Sequence, residues 1–129
     1  MMQLLGSNPT TGTTQLWQEI NGVMTLVGSA NTVFNELNAH LDANRPILAG
    51  INYKPGHTGN NDNTTDHWVV IIGRGYDAVR QQYCYIYVET GRWSTNPGAA
   101  VSNNNRLYYN LATGMFATDN RAAMSDRTL

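Results

Sequence analysis

Asp66-His67-Trp68-Val69-Val70-Ile71-Ile72-Gly73-Arg74-Gly75-Tyr76-Asp77 and, after five intervening residues, Tyr83-Cys84-Tyr85-Ile86-Tyr87-Val88-Glu89-Thr90-Gly91 are the segments on which the reading of this chain turns. Residues His67 to Gly73 are apolar with consecutive β-branched side chains, a pattern that suits a strand buried on both faces. Tyr83 to Glu89 predicts a second strand, with Tyr83, Tyr85 and Tyr87 on one face and Cys84, Ile86 and Val88 on the other. Asp77 to Arg80 is expected to turn between them. If the two strands form an antiparallel pair, the end of one lies beside the start of the other. The carboxylate of Glu89 then reaches the imidazole of His67 and fixes its tautomer. That is the base-and-orienter half of a nucleophilic triad.

Working toward the N-terminus, Arg45-Pro46 precedes Ile47-Leu48-Ala49-Gly50-Ile51-Asn52-Tyr53, which predicts a further strand. Upstream of it Phe34, Leu37 and Leu41 recur at spacings of three and four, the mark of an amphipathic helix. Asn31 or Thr32 is its expected N-cap, and it should stop before Pro46, which disfavours helical backbone at Arg45. Thr14 to Ile20 reads as a short helix with Leu16, Trp17 and Ile20 on one side. Met1-Met2-Gln3-Leu4-Leu5-Gly6 reads as the last turn of a helix closed by glycine. Toward the C-terminus, Asn105 to Leu111 and Met115 to Thr118 predict a hairpin through Ala112-Thr113-Gly114. Helices first and then a run of mostly antiparallel strands make an α+β architecture.

The whole chain bounds these readings. Its 129 residues make one domain, 1–129. Hydrophobic residues account for 41% and charged ones for only 13%, and the net charge of −1 argues against a self-repelling disordered chain. Eight basic residues against nine acidic ones provide no basic face, so no nucleic acid is expected as a partner. No apolar run approaches the ~18 residues that span a bilayer, so no membrane association is expected. A single cysteine, Cys84, excludes an intramolecular disulfide and a multi-cysteine zinc site. Between two tyrosines inside a strand, with no helix N-terminus to lower its pKa, it reads as a buried, inert thiol. The compartment is not legible.

The segment Lys54 to Asp66 is a polar loop rich in Gly, Asn and Thr, of a length that is uncommon in compact domains. It offers Asp62 and Asp66 but no full calcium-loop pattern. Zinc through His57, Asp66 and His67 is weakened because adjacent extended residues point to opposite faces. No metal and no cofactor is expected. Blander readings stand beside each candidate: His67 as a structural imidazole at a strand start, Glu89 as a solvated strand-end carboxylate. The tyrosine stripe stacks a sugar or a base, or it is simply a packed face.

Taken together, the helix, Arg45-Pro46-Ile47-Leu48, His67-Trp68-Val69-Val70-Ile71-Ile72-Gly73-Arg74-Gly75-Tyr76-Asp77 and a strand ending in an acid resemble the papain-like cysteine peptidases. The closest branch is similar to the peptidases that remove double-glycine leaders from bacteriocins. The resemblance covers about half the chain, Asn31 to Gly91. It implies a papain-like fold with N-terminal helices packed on a mostly antiparallel sheet. It also implies His67 as general base and Glu89 in the orienting place, where the family usually has Asp followed by Pro. In that family the nucleophilic cysteine opens the first helix. Met1 to Gly6 resembles the apolar end of that helix, so the expectation is a domain that is N-terminally incomplete. The peptide or amide hydrolysis of the complete ancestor would then be absent here. A non-catalytic peptide- or glycan-binding module is the alternative. A structural domain that needs a partner, or that self-associates through the incomplete helix, is a third.

Overall fold

Helix α1, Ala30–Asp42, buries Val33, Phe34 and Leu37, and Leu41 packs partly buried against the same core. The computed structural model describes residues 2–5, 13–51, 67–90, 105–110 and 112–118. The helix starts earlier than Asn31 or Thr32. Ser29 is its N-cap, extended at φ −91° and ψ 121°, and its hydroxyl accepts the Thr32 backbone N–H. The C-terminal end closes through Asn44 in the left-handed region at φ 55°. There the Asn44 N–H donates to the Leu41 carbonyl at 3.0 Å and the Arg45 N–H to the His40 carbonyl at 2.9 Å. These two bonds satisfy carbonyls that the helix end leaves open, and Pro46 follows where the chain departs.

Nine strands accompany the helix among the described residues: β1 Met2–Leu5, β2 Thr13–Gln15, β3 Trp17–Ile20, β4 Val23–Leu26, β5 Ile47–Ile51, β6 His67–Asp77, β7 Gln82–Glu89, β8 Arg106–Asn110 and β9 Met115–Thr118. Seven form one sheet in the order β2-β1-β5-β6-β7-β8-β9, and β3 and β4 form a separate hairpin. Every pairing is antiparallel. The molecule is therefore a mixed helix-and-strand fold with antiparallel sheets. Strands, not helices, come first.

Two N-terminal expectations are overturned. Met2–Leu5 is not a helix tail but a strand with neighbours on both sides, β2 and β5. Met, Gln and Leu favour helix by intrinsic preference, but so short a run cannot hold one alone, and two ladders of hydrogen bonds decide it. The premise for self-association through an unfinished helix goes with it. Thr14 to Ile20 is not a helix either. Leu16 is fully buried between β2 and β3, and its carbonyl accepts the N–H groups of Val27 at 2.9 Å and Gly28 at 3.1 Å. The hairpin β3–β4 turns on Asn21 and Gly22, both at positive φ, 51° and 76°. Asn-Gly is the dipeptide that favours such a two-residue turn, and its backbone twist matches that of the strands it joins.

The core lies between α1 and one face of the large sheet. Val33, Phe34 and Leu37 meet Ile47, Ala49, Val69, Ile71, Tyr85, Tyr87 and Leu107, all buried. Burying each large apolar side chain contributes roughly 1.5–3 kcal/mol. Tyr85 and Tyr87 are buried while Tyr83 is 63% exposed, so the tyrosine stripe is split. The small hairpin is tied to the far edge by the Trp17 indole, whose Nε1–H donates to the Gly114 carbonyl at 2.9 Å.

β6 departs from the expected strand buried on both faces. Val69 and Ile71 are buried, Val70 is half-buried and Ile72 is 47% exposed. Ile71 pairs with Tyr87 and Gly73 with Ile86, so Ile72 is an unpaired bulge residue. The bulge resets the alternation of the strand. Before it, odd-numbered residues face α1. Beyond it, Arg74 comes opposite Tyr85 and forms an ion pair with Asp42 at the end of the helix. The hairpin β8–β9 forms as expected, with Leu111 outside the described residues.

Candidate functional site

His67 is the first residue of β6 and Glu89 the last of β7. The pairing of the two strands runs from Asp77↔Gln82 at the turn to Val69↔Glu89 at the open end. Residue 67 therefore lies two positions along β6 from the partner of Glu89, at equal pleat parity. This diagonal relation spans about 7–8 Å in antiparallel sheets. On its other side residue 67 pairs with Ile51 of β5. The imidazole of His67 lies outside the described residues.

Glu89 is not the solvated strand-end carboxylate of the bland reading. It is 3% exposed, on the face that carries Tyr85, Tyr87, Val69 and Ile71. Residue 90 adds a contact that the sequence reading missed. The Thr90 hydroxyl donates to the Trp68 carbonyl across the strand pair. Its only signal in the sequence is a hydroxyl-bearing residue directly after a strand-end acid.

Cys84 does not belong to this end. It is 2% exposed, at opposite parity to Glu89, opposite Gly75 and Tyr108. Five residues separate it from Glu89, about 16 Å along a strand. Burial pushes its thiol above the usual range, against the opposing pull of Arg106. The thiol is buried, as its setting in the sequence indicates.

The turn end of the same strand pair carries a second polar group, which the sequence reading also missed. Asp77 Oδ1 accepts the backbone N–H groups of Val79 at 3.0 Å and Arg80 at 3.1 Å. Asp77 Oδ2 accepts the Tyr108 hydroxyl at 2.7 Å and lies 3.4 Å from an Arg106 guanidinium nitrogen. The Arg80 guanidinium lies 4.4 Å from the centroid of the Tyr108 ring. The Tyr108 hydrogen bond, followed by the Arg80 N–H, holds the Asp77 carboxyl below its ordinary range. An aspartate opening a four-residue turn is the legible signal here, since its side chain caps the turn.

Two further features carry less chemistry. A recess of about 250 Å³ lies between the end of α1 and the bulge, lined by Leu41, Asn44, Arg45, Pro46 and Ile72. It is smaller than ordinary ligand pockets, and the Arg45 cation is offset there by the negative end of the helix. Tyr76 and Tyr83 form an exposed edge-to-face pair with centroids 4.9 Å apart. Tyr85, by contrast, is sealed in the core, with its hydroxyl donating to Asn38 Oδ1 at 3.2 Å.

Among the described residues no group of three or more His, Cys, Asp or Glu is arranged to hold a metal ion. The loop residues His57, Asp62 and Asp66 lie outside the described residues. Among the described residues no helix is long and apolar enough to cross a membrane. Comparison of the chain with protein-family models, with curated proteins and with solved structures returns no match in any of the three.

Proposed function

We infer that this chain is a papain-like cysteine-peptidase-related domain in which His67 takes the place of the general base and Glu89 that of its orienter. The observation that carries the reading is the register Val69↔Glu89, which brings positions 67 and 89 to the same end and the same face of one antiparallel pair. The burial of Glu89 adds to it. A carboxylate held at 3% exposure is costly to desolvate, so it calls for a hydrogen-bonded environment rather than a solvated one.

A base and its orienter activate a nucleophile; alone they break no bond. The sequence carries one cysteine, and its thiol is buried on the other face, well away from this end. The domain is accordingly a binder of extended peptide at the His67–Glu89 end, without hydrolysis by this chain on its own. The glycan-binding alternative loses Tyr85, which is inaccessible.

The test is an amide NMR titration of the full chain with a panel of extended peptides, run beside a hydrolysis assay. Shifts concentrated at residues 67–69 and 87–90, with no cleavage and no effect of Cys84→Ser, are expected. Cleavage that disappears with Cys84→Ser overturns the reading, as does a panel in which no peptide perturbs that end.

A further inference from the structure

The hairpin β3–β4 stands apart from the large sheet, and its two outer edges differ. The Leu16 carbonyl accepts the Val27 N–H. By the alternation of an antiparallel ladder, the backbone groups of Val23 and Thr25 then turn toward β3, and those of Met24 and Leu26 turn away from it. The outer edge of β3 is guarded: the Gln15 carboxamide donates to the Trp17 carbonyl at 3.1 Å, and Glu19 puts a charge on the strand. The outer edge of β4 has neither protection. Val23-Met24-Thr25-Leu26 holds no charge, proline or bulge, and among the described residues β4 is the last strand of its sheet. Edge strands are ordinarily blunted by such features, and a lone two-stranded hairpin is marginally stable in water.

Trp17 and Leu26 lie on the side of the hairpin that meets the body at Gly114. The other side carries Ile20, Val23 and Val27, which are 44%, 64% and 47% exposed. Exposed valines therefore flank Thr25 symmetrically, and Val23-Met24-Thr25-Leu26-Val27 is nearly a palindrome in residue character. Such a run is complementary to itself. An antiparallel copy related by a two-fold axis through Thr25 sets Met24 opposite Leu26, so the outward backbone groups of both strands meet. The same register lays Val23 on Val27 and Thr25 on Thr25 as non-hydrogen-bonded pairs, whose side chains come closest. No charge on the strand opposes the approach.

We propose that β4 is a self-association edge: two copies of this chain join through antiparallel β4 strands about a two-fold axis at Thr25, merging two hairpins into one four-stranded sheet. The contact is isologous and closes at the dimer. It is independent of the reading at the His67–Glu89 end. Strands this short bury little surface, so the dimer exchanges readily with monomer.

Sedimentation velocity of the full chain is the measurement. The weight-average mass should rise from that of a monomer at about 10 μM toward that of a dimer at about 1 mM. Met24→Pro removes an outward N–H and keeps every backbone bond to β3, so association should weaken by about tenfold or more with the hairpin amide signals retained. Thr25→Lys and Thr25→Glu each set like charges opposite one another, and each alone should stay monomeric at about 1 mM. Mixed in equal amounts, the two variants should pair again. A wild-type chain that is monomeric throughout overturns the proposal. So does a wild-type dimer that Thr25→Lys leaves intact, because another surface then joins the copies. If Met24→Pro melts the hairpin, the mixing experiment decides: a mixture that stays monomeric beside a dimerising wild type removes Thr25 from the axis and overturns the proposal.

Discussion

The two ends of the β6–β7 pair hold their carboxylates in opposite ways. At the turn, Asp77 is served by its own neighbourhood. The N–H groups of Val79 and Arg80 are two and three residues away, and Tyr108 and Arg106 come from the adjacent strand. At the open end, Glu89 is drawn into the core face beside Val69 and Tyr87. The first arrangement is what any tight turn needs, since an aspartate there closes the turn and steadies it. The second serves no turn, and burying a carboxylate opposes folding unless hydrogen bonds offset the cost. The difference is between a carboxylate placed by a turn and one placed in the core face.

That contrast can be broken at three levels. The largest effect comes from the core beneath both ends. Leu37 is fully buried in the cluster that includes Val69, Ile71 and Tyr87. Leu37→Ala should cost about 2–5 kcal/mol and lower the urea midpoint with an unchanged slope. A loss well under 1 kcal/mol would mean that α1 does not pack on the sheet as described.

Tyr108→Phe acts on the turn end alone. It removes the hydroxyl bonded to Asp77 and should cost about 1 kcal/mol. It should also change the response to acid. The Asp77 carboxyl is held below its unfolded value, so its contribution is present above about pH 4 and is lost as pH falls further, through the folded value. Urea midpoints measured between about pH 2 and pH 6 should fall less steeply in Tyr108→Phe than in the wild type. Amide shifts at residues 67–69 should stay put. Movement there would show that the two ends are not separable.

The smallest effect belongs to Arg74→Ala. Its ion pair with Asp42 joins side chains 48% and 62% exposed, where water and salt screen the attraction. The variant should lie within about 0.5 kcal/mol of the wild type. A larger loss would make the bulge at Ile72, which turns Arg74 toward the helix, a stabilising device in its own right.

The legible and illegible parts of the fold divide along the same physical line. The helix over Phe34, Leu37 and Leu41, its stop before Pro46, the turn after Asp77 and the β8–β9 hairpin all follow from spacing or turn chemistry within a few residues. So does the Asn21-Gly22 turn, although the same dipeptide also suits the end of the helix expected across Thr14 to Ile20. The strand at Met2–Leu5 depends instead on partners at residues 13–15 and 48–51, and nothing inside four residues announces it. Ser29 displaced Asn31 and Thr32 as the cap because all three are good capping residues, and only the backbone geometry chooses among them.

The candidate site divides in the same way. The identities of His67 and Glu89, at the outer ends of two adjacent strands, are properties of the sequence, as is the solitary thiol within a strand. Their common face is a property of the register, because a slip of one residue would put them on opposite sides of the sheet. The burial of Glu89, the bulge at Ile72 that turns Arg74 toward the helix, and the tie from Thr90 to Trp68 came only with tertiary structure. Side-chain chemistry is written residue by residue, but which residues meet is settled by packing and hydrogen bonds between segments that the chain keeps far apart.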